Sequence, residues 1–506
     1  MNEIAKRNLS SRLFFGNAFQ LLKGIFTFLI SILIARFLGP EDFGIYAFLI
    51  MSFTHIWAVM DFGLQNAFYT FISAKIYHKN FYIFFLLGFL LQAFIPLIIL
   101  FILIPQEALV GIFLLDERNI IFLAFLSIIT QKNILLNITY LNESLRKSEV
   151  AQFFELFSIF SQFLLLIIFM QGDFDFLIQD MFLIIIFCNI VSSFFSSLFI
   201  KINFEETVMS FSGFIDEIFP YLKGFAFFVF LTSILNFVDI WFLSKFAGYV
   251  EQSYFQIASR FSMGFIILLA ASSNIMWKET AVLKNSKEEL LEFTSIFTNA
   301  FTFFAAFFCS ILFFSTGNTS DFVISFFFGE DYLTSESIMT FRLVILNVFF
   351  HTYGALIVSS FYGIQKAFVS YLIQTFAMVF GFILVLILVG DSSISNLSLN
   401  LGASGLALKV LICSALFHSL GYIIFFKDLG FKAFVNLVKI YLQLIILMML
   451  MFLLKFNLSY FYEDTSSYLF FITYNLIFTS IVLILVIYLP NIFGLKKISF
   501  YKNFLK

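Results

Sequence analysis

Five cations stand inside long apolar runs of this 506-residue chain: Lys23, Lys132, Arg260, Arg342 and Lys409. Three acids, Asp61, Glu155 and Asp239, stand in similar runs. A charge at mid-bilayer costs roughly 2.5–3.5 kcal/mol on insertion scales. These side chains should therefore face a protein interior or a water-filled cavity, or snorkel to an interface. The cations outnumber the acids, and a net-positive interior suits a substrate carrying phosphate or carboxylate. Arginine grips phosphate through several bonds, whereas lysine acts as a point charge. Each cation has a blander reading as the partner of an internal acid, and Arg342, Lys132 and Lys409 lie near span ends, where they could snorkel. Asp61 and Asp239 are candidates for H+ or Na+ coupling; otherwise they partner a buried cation or a helix end. His351 is a candidate proton relay against the plainer reading of a satisfied interior histidine, and His55 comes after it.

Spacing favours an interior-facing stripe. Asn17, Gln20, Lys23, Thr27 and Ser31 recur every three or four residues, which puts them on one helix face. Ser233, Asn236 and Ser244 do much the same with Asp239 beside them, followed by Gln252, Gln256, Ser259, Arg260 and Met263, then Asn347, His351 and Gly354. Single polar stripes on apolar cylinders line a central passage.

Other chemistries lack their residues. No glycine is followed by lysine, so the chain has no P-loop. No HExxH, Cys/His cluster or nucleophile elbow occurs, and Cys188, Cys309 and Cys413 sit singly. The loops are too short for an enzyme domain, no cofactor or metal is expected, and a net charge of −2 gives no nucleic-acid signal. Transport without ATP is the default, with a membrane-embedded transferase as a competitor that lacks its carboxylate-rich loop.

The elements that must position these residues are transmembrane helices. The chain is 61% hydrophobic and 12% charged, against roughly 25% charged in soluble domains. Only helices and closed barrels satisfy their backbone in lipid. The continuous runs of about 20 residues exclude a barrel. Fourteen spans are expected near 13–36, 43–64, 81–104, 119–141, 150–170, 177–200, 222–246, 252–276, 292–315, 337–361, 367–389, 402–426, 437–455 and 467–489. The second could run on as a helix to about residue 74. Lys and Arg in the loops split 20 to 4 between the two sides, which predicts both termini on the cytoplasmic side. Lys6, Arg7 and Arg12 precede a run too long for a signal-peptide core, so no cleavable signal is expected. The 83 phenylalanines read as lipid-facing filler.

A faint duplication links RFLGPEDFGIY, from Arg36 to Tyr46, with KFAGYVEQSYF, from Lys245 to Phe255, at a shift of 209 residues. Arg36 meets Lys245, Gly39 meets Gly248 and Asp42 meets Glu251. Six spans per repeat imply parallel copies about an axis along the membrane normal. The expected organisation is an N-terminal lobe over 1–204, a linker and C-terminal lobe over 205–430, and two additional helices with a cytoplasmic tail over 431–506.

LIARFLGPEDFGIYAF and DFGLQNAF in the first two spans resemble the opening of bacterial polysaccharide (O-antigen) flippases of the Wzx type, in the multidrug/oligosaccharidyl-lipid/polysaccharide exporter superfamily. FPYLKGFAFFVFLTSILNFVDIWFLSKFAG resembles the start of that family's second lobe. FGEDYLTSESIMTFRLVILNVFF and LGASGLALKVLICSALFHSLGYIIF fit its tenth and twelfth spans. The resemblance covers about residues 10 to 430. It implies two six-helix lobes around a central cavity in the bacterial inner membrane. It further implies a polyprenyl-diphosphate-linked oligosaccharide flipped to the periplasmic leaflet by alternating access, for lipopolysaccharide or capsule, beside the pathway's glycosyltransferases and polymerase. By position, Lys23 and Arg260 become the foremost cavity cations, while Gly39, Asp42 and Gly44, and Asp61 with Gly63, match recurring family features. A cation-coupled multidrug exporter and a peptidoglycan-precursor flippase are the alternatives within the superfamily. Many relatives stop at twelve helices, whereas two more are expected here.

Overall fold

The computed structural model describes residues 3–73, 79–145, 147–172, 177–201, 210–314, 322–391, 393, 396–459 and 468–488, with side chains for most of them from Ala18 onward. The side chain of Asn17, residues 202–209 at the start of the expected linker and the C-terminal tail lie outside the described residues. The described residues form helices and no strands. In the first half these are α1 (Glu3–Asp61), α2 (Leu64–Ser73), α3 (Lys79–Ile98), α4 (Gln106–Phe113), α5 (Arg118–Ile129), α6 (Leu136–Ser144), α7 (Ser148–Gln171), α8 (Ile178–Ser197) and α9 (Phe211–Phe246). There follow α10 (Tyr249–Leu283), α11 (Lys287–Phe314), α12 (Phe322–Phe328), α13 (Ser335–Gly363), α14 (Ala367–Leu388), α15 (Gly402–Phe425), α16 (Phe431–Ser459) and α17 (Tyr468–Tyr488). The fourteen expected spans fall on these helices, the first two sharing α1 and the fourth running through both α5 and α6.

Among the described residues, eleven helices are long and apolar enough to cross a membrane. One of these, Ala18–Asp61, is 44 residues long, about 66 Å at the helical rise, or twice a hydrocarbon core of about 30 Å. It is two crossings joined at Gly39, whose φ of 71° and ψ of 177° are non-helical. Such angles are essentially confined to glycine. Pro40 then opens the second crossing, where its missing N–H is no loss. Glu41 and Asp42 sit in its first turn, beside the positive end of the helix dipole. The α9–α10 junction repeats this design: Gly248 has φ 91°, and Glu251 lies in the first turn of α10. The two glycines matched by the 209-residue shift thus do the same local job. The second crossing does not run on to residue 74; Phe62 and Gly63, at φ 47° and 87°, break it before α2.

The chain divides into two compact units, Met1–Ser253 and Tyr254–Lys506. Within the first, α1 packs on α5, α7 and α9. Trp241 Nε1 donates to the Ile112 carbonyl at 2.9 Å, tying α9 to α4. Within the second, α13 packs on α11 and α15, and α16 packs on α11. Lys455 Nζ donates to the Phe314 carbonyl at 2.7 Å, and Phe307 stacks on Phe478 at 5.5 Å, so both C-terminal helices are held by α11. Phenylalanine is not only lipid-facing filler. Phe227 and Phe376 are exposed, but Phe68, Phe81, Phe85, Phe89 and Phe214 form a buried cluster with edge-on contacts such as Phe85–Phe214 at 5.2 Å. Edge-to-face geometry gives aromatic rings an attraction beyond area burial, which substitutes for polar contacts between helices in lipid.

Candidate functional site

The first unit gathers Lys23, Lys132 and Asp61 into one polar region built by α1, α2, α3, α6 and α7. Of the polar stripe of α1, Gln20 and Lys23 reach α7, whereas Thr27 is exposed and Ser31 bonds the Thr27 carbonyl of its own helix. Lys23 is buried, and its Nζ lies 2.5 Å from Glu155 Oε2 and 2.7 Å from Gln152 Oε1. Gln152 and Glu155 share a face of α7 at a spacing of three residues. Gln20 Nε2 donates to Gln152 Oε1 at 3.0 Å, and Gln152 Nε2 donates in turn to Glu143 on α6. Lys23 therefore has the internal acid that the blander reading asked for.

Lys132 lies in a π-helical segment, Thr130–Leu135, between α5 and α6. Such widened turns occur frequently at functional sites. Its Nζ sits 5.8 Å from the centre of the Trp57 ring and within electrostatic reach of Glu155. Trp57 Nε1 donates to Asn133 Oδ1, and Asn133 Nδ2 donates to the Phe89 carbonyl at 3.0 Å. Gln65 Nε2 reaches the Lys132 carbonyl at 2.6 Å and Asn137 Oδ1 at 2.9 Å.

Asp61 adjoins this network at the break after α1. Its carboxylate accepts from the backbone N–H of Gly63 and of Gln65, each at 3.1 Å, and from Gln92 Nε2 at 3.2 Å. The Gly63 bond is an Asx-turn, and the Gln65 bond fills an orphan donor of the first turn of α2. Asp61→Ala should lower stability by about 1–3 kcal/mol through loss of this cap and of the Gln92 partner, with Asp61→Asn losing less. The check is the apparent Tm of the purified protein in detergent; an unchanged melt for Asp61→Ala would show that the turn holds itself.

Asp239 is half-buried on α9. The remaining candidates belong to the second unit and do not form one cluster. Arg260 is half-buried on α10 and makes no ion pair with an acid among the described residues. Arg342 lies 5.4 Å from the centre of the Phe313 ring. His351 follows it on α13 by nine residues, about 13.5 Å along the axis. Lys409 is buried against Gly381, where an added Cβ would stand 2.6 Å from Lys409 Cε, so the glycine makes room for the lysine. His351 neighbours His418, the ring centres 6.1 Å apart, and the His418 Nδ1 lies 3.1 Å from the Phe350 carbonyl oxygen. Tyr353 bonds Ser419 at 2.8 Å and Tyr441 of α16 at 3.1 Å. Sequence reasoning passed over Gln92, Asn133, Gln152, His418 and Tyr441. Only Gln152 carried a usable signal, its position one turn before Glu155. Among the described residues no group of His, Cys, Asp and Glu could hold a metal ion.

No protein-family model and no curated protein sequence matches the chain. Solved structures do. A lipid II flippase, MurJ, in an inward closed conformation superposes with a TM-score of 0.63 at 18% identity, over 94% of this chain and 98% of that one. An inward-facing multidrug resistance MATE family transporter of the MOP superfamily gives 0.59 at 15%, over 83% and 95%. A MOP superfamily transporter from Pyrococcus furiosus, described by the reverse polarity of its binding pocket, gives 0.52 at 14%, over 81% and 94%. At these identities the likeness speaks for architecture, and on it the chain is a multi-pass membrane protein with the fold of the MOP-superfamily transporters.

Proposed function

We propose that this chain is a flippase carrying a lipid-diphosphate-linked oligosaccharide from the cytoplasmic to the periplasmic leaflet by alternating access, for O-antigen or capsule synthesis. It would work in a bacterial inner membrane with both termini cytoplasmic, beside the glycosyltransferases and polymerase that make and use its cargo. The observation that carries this reading is the buried Lys23, paired with Glu155, in a chain whose intramembrane cations outnumber its acids. The shared fold with a lipid II flippase supports a lipid-linked substrate. The MATE-like fold together with Asp61, Glu143 and Glu155 in one region favours a cation-coupled multidrug exporter as the second reading.

The test is a leaflet-protection assay. Protein is reconstituted into liposomes holding a fluorescent polyprenyl-diphosphate oligosaccharide, and an impermeant reagent reports the outer leaflet. The inner-leaflet fraction should become accessible with protein and stay protected without it. Protection unaltered by the protein, with drug or dye efflux on expression in cells, would replace this reading by the second. Imposed H+ or Na+ gradients in the same liposomes read out coupling.

A further inference from the structure

The cations of the first unit are held in a self-neutralised state. Lys23 is paired with Glu155, whose charge also acts on Lys132 at longer range, and Glu143 is joined to Lys23 through Gln152. Such a cluster offers an arriving anion little net attraction until an acid gives way. The two halves of the ion pair are not equally placed: the Lys23 side chain is 8% exposed, that of Glu155 26%. Lys23 is fixed between α1 and α7, with Gln152 Oε1 as its second acceptor. Glu155 is the accessible member and the one that can leave. A lysine ammonium has three donors, and Glu155 and Gln152 take two of them.

We propose that the Glu155 carboxylate stands in for a substrate phosphoryl oxygen on Lys23, and that binding a lipid-linked diphosphate displaces it. Glu155 is thereby a specificity-determining residue of the site, a step that rests on the proposed substrate class. A singly charged anion gains no charge on exchanging with a carboxylate. A diphosphate brings more than one charge, so the competition selects for it. When the diphosphate leaves, Glu155 returns to Lys23 and keeps the buried ammonium from being stranded. Glu155 therefore lowers affinity and speeds release.

The experiment titrates geranyl diphosphate, inorganic pyrophosphate and sulfate into the full-length protein in detergent by calorimetry. The variants are Glu155→Gln, Lys23→Ala and Lys23→Ala with Glu155→Gln. Glutamine keeps the volume and an acceptor oxygen for Lys23, and gel filtration confirms each variant as folded. Glu155→Gln should bind geranyl diphosphate at least tenfold tighter than wild type, with the gain lost when Lys23 is also removed. Its transport rate at saturating substrate should fall. Equal or weaker binding by Glu155→Gln, while Lys23→Ala still weakens wild-type binding, overturns the displacement and leaves the flippase reading standing. Glu155→Asp, which keeps the charge, should stay within a few-fold of wild type; a tenfold gain there would also overturn it. Pyrophosphate or sulfate binding as tightly as geranyl diphosphate would make this a free-anion site and remove the lipid-linked assignment. If no variant binds any of the three, the proposed substrate class fails and the inference fails with it.

Discussion

Lys23→Ala should abolish transport and destabilise the protein, and removing Glu155 as well should restore the stability but not the transport. The Lys23–Glu155 pair joins α1 to α7 at 2.5 Å, with both side chains mostly out of solvent. Removing one member of a fully buried pair strands the other charge at a cost of about 3–5 kcal/mol, and the partial exposure of Glu155 puts this pair at or below the lower end of that range. Here the stranded group is Glu155, with Gln152 and Glu143 close by and Lys132 at longer range. Taking both charges away lifts that penalty, and replacing a buried pair outright is often neutral or better. Transport depends on Lys23 for another reason: it is the cation offered to the substrate. The two readouts therefore separate. Apparent Tm in detergent should fall for Lys23→Ala and return toward wild type for Lys23→Ala with Glu155→Ala. The leaflet-protection signal should be lost in both. Transport restored by the double change would mean that Lys23 only answers Glu155 and never meets the substrate.

That contrast marks how much of the site could be read from sequence. The apolar runs announce the helices, because a span must be long and nearly uncharged. Lys23 stood out for the same reason, as a charge that lipid excludes. Its partner did not stand out. Glu155 lies 132 residues away, and nothing local says which of the intramembrane acids a given cation will meet. Helix packing makes that choice. The π-helical turn at Thr130–Leu135 is equally silent, since its residues include no glycine or proline to announce a break in the helix. Asp61 could be read either as a coupling acid or as the partner of a helix end, and its bonds to Gly63 and Gln65 give it the second job at least. The loop glycines were better signals. Gly39 and Gly248 were paired on two identities in eleven residues, and both hold positive φ at the same kind of junction. A backbone that needs glycine constrains sequence more tightly than a side chain that needs some partner.

Gly44 is constrained in a different way, and Gly44→Ala should be the most damaging single methyl group in the first unit. Gly44 lies inside the second crossing of α1 with ordinary helical angles, so alanine there would by itself favour the helix by about 1 kcal/mol. Packing reverses the sign. A Cβ at Gly44 would stand 1.9 Å from the Tyr249 carbonyl oxygen and 2.6 Å from its carbonyl carbon. Backbone cannot rotate away as a side-chain tip can. Tyr249 is also pinned, because its hydroxyl donates to the Leu114 carbonyl at 2.8 Å and its ring lies 5.9 Å from that of Phe48. Relief requires α1 and the start of α10 to separate, which would loosen the packing around Phe48. Overpacking a close contact costs about 1–3 kcal/mol and occasionally more, and a backbone clash belongs at the upper end. Gly39→Ala is the control. Nothing lies within 4 Å of a Cβ there, so its cost is conformational alone, about 1–3 kcal/mol for a residue in a sparsely populated region. Apparent Tm of the two variants in one detergent decides the matter. Gly44→Ala should melt lower than Gly39→Ala, and Gly44→Ala with Tyr249→Phe should melt higher than Gly44→Ala with wild-type Tyr249, because an unpinned Tyr249 backbone can shift aside. A Gly44→Ala protein that melts like wild type would mean that the two helices do not approach this closely.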